Sequence, residues 1–321
     1  MRKELEIWQF AAEKLKRNET VVLLTVTESS GSSPGREGFK MIVARDEMHG
    51  SIGGGVMEIT LVKLAELRIT NYELRIKPEV IEQIHRKNST NPSGMICSGR
   101  QTIIFFQLDS SHLQSVKTII SALENNQICS LRISNFKFEI LDKQSEKKNF
   151  YFEKTDENEF VYEENLGFKN KLYIIGGGHC ALALSEIMAK MDFFISLFDD
   201  RSDLNTLAKN EFVHEKQIIE SYKKIGEFIE SGANNYVVVM TLGYKFDEIV
   251  IRQLLDKNFK YFGVLGSKAK MKTLLKSLQN QGLNKNKLAQ IKTPIGLSIN
   301  SHTPEEIAVS IAAEIILIKN S

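Results

Sequence analysis

The stretch Leu172-Tyr173-Ile174-Ile175-Gly176-Gly177-Gly178-His179-Cys180-Ala181 identifies the fold of the second half of the chain. An apolar strand runs into a glycine turn and then into a helix, which matches the dinucleotide-binding pattern G-x-G-x-x-A. The first glycine permits a tight turn, the second lets a phosphate approach the backbone, and Ala181 lets the helix pack closely on the sheet. The helix N-terminus then offers unpaired N–H groups and a partial positive charge to an anion. We therefore predict a Rossmann-type nucleotide site with Gly176 and Gly178 as contacts.

His179 and the acidic residues after the next strand extend this prediction. His179 is interpreted as a phosphate or proton-transfer contact, the alternative being a polar residue of the turn. Asp199 ends the following predicted strand, 21 residues after Gly178, where a ribose hydroxyl would be met. Asp200 and Arg201 come next. Asp199 favours an unphosphorylated ribose, and Arg201 would weaken that preference. NAD(P) or another nucleotide is the predicted ligand; the alternative is a doubly wound domain that binds nothing tightly.

Strands and helices alternate through the rest of this half, which predicts βαβ units and a parallel sheet covered on both faces. A second strand–glycine–helix turn carries Gly266 and Ser267, which are predicted either to hold a second anionic group or to serve as a structural turn. The last helix opens at Thr303-Pro304-Glu305-Glu306, where Thr suits the N-cap and Glu306 closes a capping box. The predicted strands are residues 171–175, 193–198, 236–241 and 261–265, with helices at 181–191 and 246–255.

The first half mixes helical and strand periodicities and is predicted to be an α+β domain, so the whole chain is assigned to the α/β class. From residue 142 to residue 170 the composition shifts to Lys, Glu, Asp and Asn. We therefore predict an N-terminal domain at 1–145, a linker or hairpin at 146–170, and a Rossmann-like domain at 171–321. The N-terminal helices are predicted at residues 4–16, 56–67 and 113–123, and the strands at 21–26, 40–44, 102–108, 129–134 and 136–141.

Two loops rich in Gly and Ser flank a short hairpin in the first half. They are Ser30-Gly31-Ser32-Ser33-Pro34-Gly35 and Gly50-Ser51-Ile52-Gly53-Gly54-Gly55, and the second opens a helix with Glu58 in its first turn. Successive glycines permit a nest of backbone N–H groups that receives an anion without a charged side chain. The alternative is a tight turn followed by a helix, but three consecutive glycines favour ligand contact. Gly53, Gly54, Gly55 and Glu58 are therefore predicted as contacts.

Cys97 lies in the small-residue loop Gly94-Met95-Ile96-Cys97-Ser98-Gly99. A thiol there could coordinate a soft metal or carry sulfur. From spacing alone, an inert cysteine is the better interpretation. The sequence contains no recognisable Ser–His–Asp arrangement, HExxH motif, Walker A motif or pair of catalytic carboxylates.

Composition excludes several classes of function. A net charge of +2, with acidic and basic residues interspersed, gives no case for nucleic acid or an anionic membrane. The longest largely apolar stretch, residues 307–318, is 12 residues long and contains Glu314, so no membrane span is predicted. The charged start of the chain predicts no signal peptide. Three widely spaced cysteines argue against a disulfide framework and for a reducing cytoplasm.

Taken together, the motifs resemble the XdhC/CoxI family, the accessory factors of xanthine dehydrogenase and related molybdenum hydroxylases. The resemblance is collinear over nearly the whole chain, which makes it far more specific than any single glycine loop. The matching first-half segments are Gly31-Ser32-Ser33-Pro34 with Gly38, the segment from Gly50 to Glu58, and Cys97-Ser98-Gly99. In the second half they are Gly176-Gly177-Gly178-His179, Asp199-Asp200-Arg201, the stretch from Tyr261 to Ser267, and residues 294–297 through 303–310.

The resemblance implies a non-catalytic role. A protein of this kind would bind molybdenum cofactor, protect it during sulfuration and pass it to an apo molybdenum hydroxylase. It also implies a cysteine desulfurase as a second partner and a homodimer. Under this interpretation Cys97 and the Gly53-Gly54-Gly55 loop become candidate cofactor contacts.

One departure from the family pattern concerns the segment after Thr241. Members usually carry a histidine-containing stretch before an aspartate, whereas this chain has Leu242-Gly243-Tyr244-Lys245-Phe246-Asp247. Any proton-transfer or metal role of that histidine is therefore in doubt here. Two rival functions share the Rossmann loop: an NAD(P)-dependent oxidoreductase, against which the absent histidine counts, and a nucleotide-sensing regulator.

Overall fold

The chain divides into two compact units, Met1–Gly167 and Phe168–Ser321. The structure is a computed structural model, and it describes residues 2–71, 78–85, 99–135, 137–141, 149–156 and 159–321. No helix in these stretches is both long enough and apolar enough to cross a membrane.

The first unit is built on a five-stranded antiparallel sheet with strand order β3-β2-β1-β5-β4. Neighbouring residues of β1 point to opposite faces: Val21 and Leu23 join the core with α1 and α3, whereas Val22 and Leu24 join the core with α2. Both faces are covered, so the β1 sequence is a continuous apolar run rather than an alternating one. The elements are α1 (Arg2–Lys16), β1 (Val21–Gly31), β2 (Lys40–Val43), β3 (Met48–Gly50), α2 (Gly55–Thr70), β4 (Glu79–His85), β5 (Gly99–Leu108) and α3 (Leu113–Glu124).

A second antiparallel sheet of the first unit contains the segment that the sequence left open between linker and hairpin. Its strands are β6 (Cys129–Ser134), β7 (Lys137–Leu141), β8 (Phe150–Lys154) and β9 (Phe160–Leu166), in the order β7-β6-β9-β8. β8 and β9 form the hairpin. The side chain of Lys40 on β2 joins this sheet to the rest of the unit, because its Nζ lies 2.6 Å from Glu164 of β9 and 2.9 Å from Glu4 of α1.

The second unit is a parallel sheet with the strand order β12-β11-β10-β13-β14, which confirms the predicted Rossmann-like fold. The strands are β10 (Asn170–Ile175), β11 (Phe193–Asp199), β12 (Glu215–Ile218), β13 (Gly232–Val239) and β14 (Phe259–Val264). The helices are α4 (His179–Ala189), α5 (Asn205–Lys209), α6 (Ile225–Phe228), α7 (Tyr244–Leu254), α8 (Lys268–Asn280), α9 (Lys285–Leu288) and α10 (Pro304–Lys319). α4 and α10 pack on one face of the sheet, and α6, α7 and α8 pack on the other.

The acid within the apolar last helix has a structural role. Glu314 of α10 accepts a hydrogen bond from the Tyr261 hydroxyl at 2.5 Å and another from the Gly296 backbone N–H at 2.9 Å. The predicted capping box is present: the Thr303 side chain accepts from the Glu306 N–H, and the Glu306 side chain accepts from the Thr303 N–H. Local contacts therefore fix the start of α10, and a long-range contact fixes its middle.

Three strands, β3, β4 and β12, were not predicted from the sequence, and each lies at the edge of a sheet. β3 has only three residues, and the sequence Glu-Lys-Gln-Ile of β12, which is largely exposed, has no apolar pattern. β4 pairs on one side only. Strands that bury little of their surface give a weak hydrophobic signal, so pairing with a neighbour rather than periodicity defines them.

Candidate functional site

The glycine turn of the second unit contains one glycine that the fold requires and one that it does not. Gly176 has a φ of +107°, and a Cβ there would overlap the Met240 carbonyl oxygen of the adjacent chain segment. Gly178, the N-cap of α4, has an ordinary φ of −73°, and a Cβ there would meet no protein atom within 4 Å. Packing therefore explains Gly176, whereas the space beside Gly178 is open for a ligand.

Gly243, which follows β13, is a second glycine with open space beside it, and it lies where the strand order of the sheet reverses. β10 and β13 are neighbours, yet α4 and α7, which follow them, cover opposite faces of the sheet. Such a point leaves a crevice at the carboxyl ends of the strands. Gly243, the N-cap of α7, has an extended φ of −177° and also open space where a Cβ would be. Gly243 was not predicted as a contact from the sequence.

Asp199, predicted to meet a ribose hydroxyl, makes other contacts. Its side chain is fully buried. Oδ1 accepts from the Arg201 N–H and Nε at 2.9 Å each, and Oδ2 accepts from the Gly177 N–H at 2.6 Å and Arg201 Nη2 at 2.9 Å. A carboxylate has about four acceptor positions, and all four are used. In this arrangement Asp199 holds the glycine turn and has no position left for a sugar.

These contacts keep Asp199 charged. Burial by itself would raise the pKa of Asp199, but the hydrogen bonds from Arg201 and Gly177 outweigh it and hold the pKa below its ordinary value. Asp200, by contrast, is partly exposed, and its Oδ1 lies 3.9 Å from Arg201 Nε. Asp200 is therefore the accessible acid of the predicted Asp199-Asp200-Arg201 set.

A buried carboxyl group follows β13 where the histidine of the family pattern is missing. Asp247, in the first turn of α7, accepts from the Thr241 hydroxyl at 2.6 Å and from the Thr241 N–H at 3.3 Å. Burial raises the pKa of Asp247 to about 6, against the opposing effect of these hydrogen bonds. Leu242 and Tyr244 between them are exposed. The segment thus supplies a buried carboxyl group whose pKa is raised.

The remaining predicted contacts of this unit differ in accessibility. His179 is exposed at the first position of α4. Burial, together with the charge of Glu305, raises the pKa of the Cys180 thiol, so the helix N-terminus does not make it a thiolate. Ser267 caps α8 by accepting from the Lys270 N–H, and a Cβ at Gly266 would lie 2.6 Å from Met271 Cε. Helix capping therefore accounts for Ser267, and a Cβ at Gly266 would require the Met271 side chain to move. The contact of both residues with an anion stays a prediction.

In the first unit, three segments singled out from the sequence meet backbone to backbone. A Cβ at Gly53 would lie 2.5 Å from the Gly35 nitrogen, so the second glycine loop packs directly on the first. A Cβ at Gly99 would lie 2.5 Å from the Ser33 nitrogen. Gly99 is two residues after Cys97, which lies outside the described residues. These approaches explain why Gly53 and Gly99 have no side chain.

A buried glutamine lies beneath these loops. Gln101 of β5 is fully buried, its Oε1 accepts from the Ser33 hydroxyl at 2.7 Å, and its Nε2 lies 3.7 Å from the Met57 sulfur. The amide thereby connects the first loop to the start of α2. Gln101 was not predicted from the sequence, because it lies between the polar residues Arg100 and Thr102 at the start of β5, where nothing local marks it as buried.

Glu58 fills the nest that was predicted to receive an anion from a ligand. Its Oε2 accepts from the Ile52 N–H at 2.8 Å, the Gly54 N–H at 2.9 Å and the Ser51 hydroxyl at 2.7 Å. The open part of the site is the first turn of α2. There, Gly54 has open space beside it, Gly55 and Val56 are exposed, and the N-cap residue Gly54 has no side chain that could accept from the N–H groups of the first turn. Within the residues that the structure describes, no group of three or more His, Cys, Asp or Glu side chains could hold a metal ion.

The fold and these sites define a class: a two-unit α/β protein with a Rossmann-type crevice in one unit and a glycine-loop site in the other. A model of the XdhC Rossmann domain matches residues 172–315, and a model of the XdhC and CoxI family matches residues 15–73. Models for two parts of this family thus match the chain, one in each unit.

Two curated proteins and one solved structure are similar to this chain over almost its whole length. "Uncharacterized protein YqeB" of Escherichia coli K12 is 22% identical over 99% of this chain, which covers only 47% of that protein. A Bacillus subtilis protein named as a probable xanthine dehydrogenase component is 24% identical, with 94% of each chain covered. A crystal structure of a Bacillus halodurans protein described as a xanthine dehydrogenase superposes with a TM-score of 0.73 at 22% identity. That superposition covers 98% of this chain and 95% of the other, and it supports the fold.

Proposed function

We propose that the protein is an accessory factor for a xanthine dehydrogenase-type molybdenum hydroxylase. In this role it binds molybdenum cofactor as cargo in the first unit, supports its sulfuration and delivers it to the apo hydroxylase. A cysteine desulfurase would supply the sulfur, and the working form would be a homodimer. The two family-model matches and the name of the Bacillus subtilis relative support the hydroxylase as partner.

One observation supports the proposed cofactor site in the first unit. The backbones of Ser33–Gly35, Gly53 and Gly99 pack against one another beside the open first turn of α2. The amide groups of that turn suit the anionic phosphate of the cofactor. Glu58 keeps the turn in shape by binding the N–H groups of Ile52 and Gly54. Cys97 supplies a thiol two residues from Gly99, where a sulfur ligand or sulfur carrier would act.

The test is retention and transfer of the cofactor. Purified protein is mixed with molybdenum cofactor released from a donor enzyme and passed through a gel-filtration column. The co-eluting molybdenum and the fluorescent oxidised pterin are then measured. The loaded protein is finally added to an apo hydroxylase, whose activity is followed. We expect molybdenum and pterin to elute together with the protein and the recovered activity to exceed that obtained with free cofactor.

Variants locate the site. Cys97→Ser and Glu58→Gln should lower retention, whereas Cys180→Ser in the second unit should leave it unchanged. Neither retention nor improved reconstitution by the parent protein would contradict the proposal. Equal retention by all three variants would place the cargo elsewhere.

A nucleotide is the second candidate ligand, and the two open glycines of the second unit favour it. Gly178 and Gly243 follow neighbouring strands at the switch point, and neither is required by packing or by its φ angle. Two helix N-termini at one crevice suit the two phosphates of a dinucleotide or an ADP-ribose group. Fluorescence titration with NADH and calorimetry with ADP-ribose test binding. Turnover in a substrate screen would favour the oxidoreductase over the regulator.

A further inference from the structure

We propose that Asp200 and Tyr222, not Asp199, recognise a ribose hydroxyl in the second unit, and that the site prefers an unphosphorylated ribose. This inference rests on the nucleotide candidate for the second unit and is independent of cofactor binding in the first.

Asp199 has no acceptor position left for a sugar hydroxyl. All four of its acceptor positions are occupied by donors from Gly177 and Arg201. A ribose hydroxyl would have to displace the bidentate Arg201 contact, which is one of the stronger kinds of hydrogen bond. Asp199, the acid at the end of β11, therefore has a structural role and does not bind the sugar.

The Tyr222 hydroxyl is a buried donor without an acceptor among the described residues. Tyr222 is 2% exposed, and among the described residues its hydroxyl has no hydrogen-bond partner of good geometry. Burial and the charges of Asp199 and Asp200 raise the pKa of Tyr222, while the Asp200 backbone N–H near the phenolic oxygen opposes this effect. An N–H group can only donate, so the phenolic hydrogen still has no acceptor. Buried polar groups in folded proteins are nearly always paired, so this hydroxyl requires an explanation.

The position of Tyr222 places this donor at the carboxyl edge of the sheet. Its ring packs edge to face against Phe246 in the first turn of α7, with centroids 5.8 Å apart. Ser221 caps the short 3₁₀ turn that carries it, by accepting from the Lys223 N–H at 3.3 Å. Tyr222 therefore lies between the Asp199-Asp200 end of β11 and the start of α7, at the carboxyl edge of the sheet.

The charges of Asp199, Asp200 and Arg201 favour a sugar hydroxyl over a phosphate. The Asp200 carboxylate is partly exposed, and the contact with Arg201 at 3.9 Å is too long for a hydrogen bond. Asp199, Asp200 and Arg201 together carry a net charge of −1. A sugar hydroxyl can donate to Asp200 and also accept from Tyr222, which satisfies both groups. A phosphate can accept from Tyr222 but meets the repulsion of Asp200, because like charges at close range disfavour each other.

The experiment measures the affinity of the full chain for ADP-ribose and for 2′-phospho-ADP-ribose by calorimetry. The parent protein should prefer ADP-ribose. Asp200→Asn should weaken ADP-ribose binding by about tenfold, as expected for one lost hydrogen bond to a charged group, and should strengthen binding of the phosphorylated probe. Asp203→Asn is the matched control, because Asp203 is an exposed acid of the same loop, and its affinities should not change.

Tyr222→Phe separates recognition from a purely structural role. Removal of a buried, unpaired hydroxyl should leave the Tm unchanged or raise it, whereas ADP-ribose binding should weaken several-fold. The inference is wrong if the parent prefers the phosphorylated probe, or if Asp200→Asn and Tyr222→Phe bind ADP-ribose as the parent does. In both cases nucleotide binding itself would still stand. If neither probe binds the parent, the nucleotide candidate fails together with the inference.

Discussion

Gly176 and Gly178 lie two residues apart in one turn, yet the fold requires glycine only at position 176. At Gly176 the backbone of residue 240 leaves no room for a Cβ, and φ is positive. At Gly178 there is room, and φ is one that any residue adopts. A single glycine pattern thus contains one glycine that the fold requires and one that it does not, and substitution separates them.

The first prediction compares alanine at the two positions. Gly176→Ala should lower the free energy of unfolding by about 2 to 4 kcal/mol, because it adds backbone strain and an overlap with the Met240 carbonyl. Gly178→Ala should cost about 1 kcal/mol or less, as a weaker N-cap, but should lower the affinity for ADP-ribose. Urea denaturation and calorimetry give the two quantities. Equal stability losses, or unchanged affinity in Gly178→Ala, would contradict the assignment.

The second prediction concerns the pH dependence of stability through Asp247. The pKa of this buried carboxyl is raised from 3.8 to about 6, so the folded protein binds its proton more tightly than the unfolded chain does. The stabilisation that this proton provides is fully present below about pH 4 and is lost as the pH rises to about 6. Two pKa units correspond to about 2 to 3 kcal/mol.

Asp247→Asn should remove this dependence. Asn keeps an oxygen for the Thr241 hydroxyl but cannot ionise, so the variant should be more stable than the parent at pH 7 by about 2 kcal/mol. Its stability should also change less between pH 4 and pH 6. Unfolding in urea at several pH values measures both effects. A parent and a variant with parallel pH profiles would contradict the raised pKa.

At the scale of elements, a buried ion pair connects the two sheets of the first unit. Lys40 of β2 is 3% exposed and lies between Glu164 of β9 and Glu4 of α1. Burial alone would lower the pKa of Lys40, but the two carboxylates raise it to about 12. The Tyr162 hydroxyl also donates to Glu164. Three elements distant in sequence are thereby joined through one ammonium group.

The third prediction is that Lys40→Ala destabilises the first unit by about 3 to 5 kcal/mol, because it removes the cation that faces the buried Glu164 carboxylate. Lys137→Ala is the control, since Lys137 is exposed, its partner Glu139 at 3.5 Å is partly exposed, and such surface pairs contribute little. The double variant Lys40→Met with Glu164→Leu should recover part of the loss. Thermal and urea unfolding measure all three. A loss no larger for Lys40→Ala than for Lys137→Ala would contradict the role of the pair.

At the scale of the whole molecule, every hydrophobic core cluster of the described residues lies within one unit. Two clusters cover the faces of the five-stranded sheet of the first unit, and two cover the faces of the parallel sheet of the second. A sheet covered on both faces by its own helices does not need another unit to bury its apolar surface.

The fourth prediction follows from this arrangement. A fragment of residues 168–321 should fold cooperatively and bind ADP-ribose with the affinity of the full chain, because its core and the crevice residues all lie within that range. Far-UV circular dichroism, urea unfolding and calorimetry check it. A fragment that unfolds without cooperativity would show that the second unit needs the first. A folded fragment that binds more weakly would show that the first unit contributes to the site.

Features that depend on residues close together in the chain could be predicted from the sequence. The strand–glycine–helix order around Gly178, the alternation of strands and helices after it, and the capping box of α10 are all visible as local patterns. Continuous apolar runs predicted the central strands correctly because those strands are buried on both faces. The family resemblance was also visible, since it rests on ordered motifs.

How these motifs are used depends on the tertiary structure. Asp199 was expected to meet a sugar, but its position beside Gly177 and Arg201 uses every acceptor it has. Glu58 and Gln101 hold loops whose mutual packing no local pattern encodes. The cause is common to these cases, because the role of a polar group depends on which partners satisfy it. Partners that are distant in the chain are set by strand order and packing.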